Sequence, residues 1–101
     1  MKTAHRSTLA AAALLLMALS TGVTAQALGK GQQYYQKICA KCHEAGVGPV
    51  LLGRELPEAT TLYMVRHGLN AMPAFRLSDI DDATLKDLAL YLSKSTAPAK
   101  K

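Results

Sequence analysis

Cys39, Cys42 and His43 stand in the run Cys39-Ala40-Lys41-Cys42-His43, the C-x-x-C-H spacing of c-type haem attachment. On a helix these positions are i, i+3 and i+4, so the three side chains project from one face. Two thiols so placed can form thioethers with the two vinyl groups on one porphyrin edge, and the imidazole can then reach the iron. Other chemistry for these residues needs neighbours that the chain does not offer. A thioredoxin-like dithiol wants a βαβ context, and nothing in this sequence reads as a strand. Zinc wants four ligands, and only His67 and carboxylates could complete the set. A plain disulfide leaves His43 unexplained. One covalent haem c is therefore the expected cofactor.

An iron-bound imidazole needs its second nitrogen fixed, commonly by a backbone carbonyl. Pro49, just downstream in the loop, is the natural acceptor, although Gly48-Pro49 also reads as a simple turn. For the sixth iron position the candidates are Met64, Met72 and His67. Met64 lies inside a helical stretch beside Leu62 and Val65, where methionine usually fills core. His67 ends that stretch next to Arg66, where an imidazolium suits the helix dipole. Met72 stands in Asn70-Ala71-Met72-Pro73-Ala74-Phe75, an apolar loop without helical period, and Pro73 restricts it to extended conformations. Met72 is the expected second axial ligand, and a neutral thioether there raises the potential. Full ligation leaves no place on iron for a substrate, so no catalytic residue is expected; an open sixth position would instead make a gas binder, sensor or peroxidase.

Three helical segments must position these groups. The first runs from about Lys30 to Lys41, with Gly31, Tyr35, Ile38, Cys39 and Cys42 at three- and four-residue intervals on one face. The second runs from about Pro57 to His67, with proline in its first turn, Glu58 near the positive end of the dipole and Gly68 as the stop. The third begins near Asp81 or Asp82, with Ser78 capping a short preceding turn, and carries the stripe Leu85, Leu88, Ala89 and Leu92. Two loops remain, Glu44 to Leu56 and Leu69 to Leu77. Val47, Val50, Leu51, Leu52, Leu69 and Phe75 in them need an apolar surface, which a flat cofactor held between the loops would supply.

The beginning of the chain reads as an export signal. Lys2, His5 and Arg6 precede the uncharged apolar run Leu9 to Leu19, and A-x-A-like sites follow at Ala25 and Ala27. That run is about half the roughly 20 residues of a spanning helix. Residues 1–27 are expected to be removed after Ala25 or Ala27, leaving a single domain at 28–101 in the periplasm. Removing Lys2 and Arg6 takes the net charge from +5 to +3, too mild to indicate a nucleic-acid partner. A domain of this size is marginal on an apolar core alone, so a covalent cofactor has a structural role too.

These residues resemble the class I cytochromes c across essentially the whole of 28–101. In that family a glycine and an aromatic precede the first haem cysteine by eight and four positions, as Gly31 and Tyr35 precede Cys39 here. The resemblance implies an all-α fold of three main helices and loops wrapped around one haem, with the first helix crossing the last near Leu88 and Tyr91. Further stretches, Gly46 to Leu51, Gly53 to Ala59 and Ala71 to Phe75, resemble the cytochrome subunits of p-cresol methylhydroxylase and similar 4-alkylphenol and eugenol hydroxylases. That implies a flavocytochrome in which an FAD subunit oxidises a para-alkylphenol to a quinone methide, which water attacks. The cytochrome accepts the electrons singly and passes them to a soluble carrier such as azurin or another cytochrome. Arg54, in the loop expected to cover a haem edge, is a candidate to grip a propionate; a solvated surface arginine is the alternative. A tightly docked subunit predicts an apolar collar of residues such as Ala71, Pro73, Ala74 and Phe75. The alternative, a free-standing shuttle between respiratory complexes, predicts salt-sensitive docking through lysines.

Overall fold

The computed structural model describes residues 27–98. The expected export segment, apart from Ala27, lies outside them. In order the elements are α1 (Lys30–Tyr34), a π-helical turn (Tyr35–Cys39), α2 (Ala40–His43), α3 (Glu58–His67) and α4 (Asp82–Lys94). The first three form one continuous helical run, so the described residues hold three helices, as expected, and no strand beyond an isolated bridge between Leu69 and Met72.

The π turn is the departure from the expected first helix. A π turn steps by five residues where an α turn steps by about four, so the position below Tyr35 belongs to Ala40. Ala40 and Cys39 accordingly pack against the core. Ile38, expected on the same face, is instead 40 % exposed. The extra residue turns the attachment cysteines relative to the Gly31–Tyr35 stripe that faces α4.

Helix α4 buries Leu85, Leu88, Ala89 and Leu92, each at most 2 % exposed. This is the expected stripe, at the i, i+3, i+4, i+7 spacing of one helix face. Its N-cap is Asp81, whose carboxylate accepts from Thr84 N at 2.7 Å and from the Thr84 hydroxyl at 3.0 Å. Those bonds, the backbone one first, hold the Asp81 carboxyl below its ordinary range. The short turn before it is closed by Asp79, which accepts from Arg76 N at 2.8 Å. Asp79 and Asp81 therefore take the capping role expected of Ser78, because their longer side chains reach the amides three residues away.

Helix α1 crosses α4 at Gly31. A Cβ added there would lie 2.1 Å from Leu88 N, so only glycine lets the two backbones approach this closely. The Gly31 amide donates to Asp87 Oδ2 at 2.7 Å, and α1 has no side-chain cap of its own. Asp87, on α4, thus satisfies a free amide of a helix 56 residues earlier in the chain. Beside the crossing Tyr35 packs on Tyr91, ring centroids 5.7 Å apart. Pro57 caps α3 and Gly68, with φ of 71°, ends it. Val65 of α3 and Ile80 complete the core.

Candidate haem-binding site

Cys39 closes the π turn, while Cys42 and His43 follow in α2. Cys39 is half-buried against the core cluster and Cys42 is exposed; neither is in a disulfide. Burial pushes the Cys39 thiol up to about 11, so in the free chain it is a neutral thiol at pH 7. Among the described residues no three His, Cys, Asp or Glu side chains converge as a metal-ion site.

The loop after α2 folds back at once. Gly48 N donates to Cys42 O at 2.9 Å, and this return brings the Pro49 carbonyl to 2.7 Å from His43 Nδ1. A carbonyl can only accept, so Nδ1 carries a proton, and in the neutral ring that leaves Nε2 as the nitrogen free to bind a metal. A Cβ at Gly48 would sit 3.0 Å from Nδ1 and 3.1 Å from Cε1 of the ring. The missing side chain leaves a cradle that fits the imidazole edge.

Met72 is pinned from both sides. Leu69 and Met72 exchange two backbone hydrogen bonds, at 3.1 and 2.9 Å, closing a tight turn in which Asn70 has φ of 52°. Three residues later Phe75 N donates to Val65 O of α3 at 2.8 Å. Met72 is half-buried and packs against the same core cluster as Cys39, Leu51, Leu52 and Phe75. The first cysteine and the loop methionine therefore pack against the same apolar core cluster.

The other sequence candidates lie apart. His67 is exposed, stacked on Tyr63 with ring centroids 4.1 Å apart, and its Nδ1 is 2.8 Å from Tyr63 O. Met64 is half-buried in α3 and is not among the residues packed on the core cluster. Arg54 is exposed, with its guanidinium 3.5 Å from the carbonyl of Val50 in its own loop, at the outer limit of a hydrogen bond. Arg66 was not singled out by sequence. Its Nη1 donates to Ile80 O at 2.9 Å and to Phe75 O at 3.2 Å, and its Nη2 pairs with Asp82 at 2.6 Å.

The donor set fits a c-type haem. Two thiols at i and i+3, an imidazole with its remote nitrogen already fixed, and a thioether on a constrained loop are the groups such a cofactor uses. The loops also carry apolar side chains that the polypeptide core does not cover: Val47 is 74 % exposed, Val50 51 % and Leu69 58 %. Ile38, Pro73, Ala74 and Phe75, with Tyr34 and Asp79, line a shallow cleft between the first helical run and the Met72 loop.

Comparison with known proteins agrees with this chemistry. Residues 26–92 match the family described as cytochrome c oxidase, cbb3-type, subunit III. The chain is 48 % identical over 87 residues to the 4-cresol dehydrogenase [hydroxylating] cytochrome c subunit of Pseudomonas putida, covering 84 % of this chain and 77 % of that one. It is 32 % identical over 108 residues to cytochrome c6 of Thermosynechococcus vestitus, covering 96 % of each. A chain in a crystal structure of p-cresol methylhydroxylase with substrate bound superposes with a TM-score of 0.64 at 52 % identity, over 68 % of this chain and 96 % of that one.

Proposed function

The chain belongs to the cytochrome c family, and from that premise we propose that it is the periplasmic cytochrome subunit of a flavocytochrome that oxidises 4-alkylphenols. It is an electron-transfer protein carrying one covalent haem c, and on its own it is not an enzyme. Cys39 and Cys42 hold the haem by thioethers. His43 Nε2 and the Met72 sulfur would ligate its iron, with the Pro49 carbonyl orienting the imidazole. Arg54, exposed on the same loop, would contact a propionate. The bound group supplies one-electron cycling between ferric and ferrous iron. The protein's own contribution would be to hold the iron through His43 and Met72 and to leave an apolar rim for a partner.

The partner is an FAD-containing dehydrogenase subunit, and a soluble carrier such as azurin or another cytochrome accepts the electron downstream. What carries this reading is the 48 % identity with the 4-cresol dehydrogenase cytochrome c subunit. The character of the cleft beside the Met72 loop supports it: Ile38, Pro73, Ala74 and Phe75 make it mainly apolar, with Asp79 its one charged lining residue and no lysine. Tight docking buries apolar surface, whereas a transient shuttle depends on salt-sensitive charge steering. Among the described residues no helix is long and apolar enough to cross a membrane.

The test is gentle purification of the native protein from a periplasmic extract. A flavin-containing chain that co-elutes at both low and high salt supports the assignment. A strictly monomeric haem protein, with the phenol-oxidising flavoprotein eluting elsewhere, overturns it.

A further inference from the structure

We propose that Arg66 is a positioning residue for the axial methionine, locking the Met72 loop against α3 and the start of α4. The inference rests on Met72 being the sixth ligand. Arg66 lies in the last turn of α3, one residue after Val65, whose carbonyl holds Phe75 N at 2.8 Å. The same residue is held at its other backbone group, because its carbonyl accepts from Arg66 Nη1 at 3.2 Å. Both polar groups of the residue three positions after Met72 are therefore tied to one turn of α3. The Leu69–Met72 turn fixes the loop on its other side, at 3.1 and 2.9 Å. Between these anchors Pro73 removes one backbone freedom. A ligand sulfur on this short span has little room to move while both anchors hold.

Arginine is the side chain this arrangement needs. A planar guanidinium presents five donors in a fixed fork. Here it spans Phe75 O, Ile80 O at 2.9 Å and Asp82 at 2.6 Å, three groups on two segments. The Asp82 pair is largely in solvent, with that carboxylate 76 % exposed, so it contributes little. The two carbonyl bonds are part-buried, and the one to Phe75 reaches the loop itself while the one to Ile80 ties it to the start of α4. The clamp therefore lies in the carbonyl bonds and not in the ion pair.

The experiment uses the matured haem protein and three variants, Arg66→Met, Arg66→Lys and Asp82→Asn. The readouts are the weak far-red methionine–iron band of the ferric form, the rate of carbon monoxide binding to the ferrous form, and far-UV circular dichroism. Arg66→Met is expected to lose most of the far-red band and to bind carbon monoxide about ten-fold faster, since an unclamped loop raises the fraction of open sites. Helicity stays at the parent level. Arg66→Lys is intermediate, and Asp82→Asn matches the parent. If Arg66→Met does not accumulate as folded protein, Arg66→Lys decides by the same readouts. A folded Arg66 variant that keeps the full band and the parent's carbon monoxide rate overturns the proposal, as does an Asp82→Asn effect as large as that of Arg66→Met. A parent protein that itself lacks the band overturns the Met72 assignment and the clamp with it. A parent with the band beside an unaffected Arg66 variant removes the clamp alone.

Discussion

The carbonyl oxygen of Pro49 lies 2.7 Å from Nδ1 of His43, and the Gly48 Cα beside the ring leaves room for it only because it bears no side chain. A hydrogen bond from Nδ1 raises the basicity of Nε2 and so favours the ferric state of a bound iron. Gly48→Ala would press a methyl against the ring, weaken this bond and raise the midpoint potential. The expected rise is tens of millivolts, below the roughly 60 mV that equals a tenfold change for one electron. Redox titration of the variant checks it, and a fall in potential would count against the His43 orientation.

Gly31→Ala tests the crossing of α1 and α4. The new Cβ would meet backbone, 2.1 Å from Leu88 N and 2.4 Å from Asp87 C, so no rotamer change can relieve it. The helices must separate, at a cost at or above the upper end of the usual overpacking range, about 3 kcal/mol. Urea unfolding of the haem protein should show a lower midpoint at unchanged slope. A midpoint within error of the parent contradicts the close approach.

Asp87→Ala removes the acceptor of the Gly31 amide, a bond of 2.7 Å between groups that are part-buried. A lost helix cap costs about 1–2 kcal/mol, measurable in the same unfolding experiment. Because Asp87 and Gly31 touch, their double mutant should be less destabilised than the sum of the two singles.

Burial above all, then the charges of Glu44, Tyr91 and Cys39, pushes the Tyr35 phenol up to about 12 from 10.0. The folded protein thus keeps this proton after the unfolded chain has released it. Stability from this source is intact below pH 10 and is lost as pH climbs towards 12. The Tyr35 hydroxyl is buried without a hydrogen-bond partner. Tyr35→Phe should therefore change stability at pH 7 by less than about 1 kcal/mol and flatten its decline at alkaline pH. Unfolding midpoints measured from pH 7 upward decide this; parallel curves for parent and variant contradict it.

The parts of the fold set by local rules were legible from residues alone. The α4 stripe of Leu85, Leu88, Ala89 and Leu92 follows from a single helical period, and all four are buried. The boundaries of α3 follow from Pro57 and Gly68. The π turn was not legible, because one inserted residue in a helix changes no composition and leaves the 3.6-residue spacing almost satisfied; Ile38 went to the wrong face for that reason. Asp87 and Arg66 were missed for another. Each bonds backbone atoms that only the folded chain brings near, across 56 residues for Asp87 and across 9 and 14 for Arg66. Side chains that serve distant carbonyls and amides have no spacing to read. The C-x-x-C-H triplet and Met72-Pro73 are the opposite case, since the chemistry of each lies within a few consecutive residues.

The central claim is that Cys39 and Cys42 bind one haem through their sulfurs, and the mass of the exported chain tests it most directly. The protein is made where c-type maturation operates, then denatured in acid and extracted with organic solvent before intact-mass measurement and thiol alkylation. The account predicts polypeptide plus one haem, with neither cysteine open to alkylation. A chain weighing no more than its amino acids, with two reactive thiols, contradicts it.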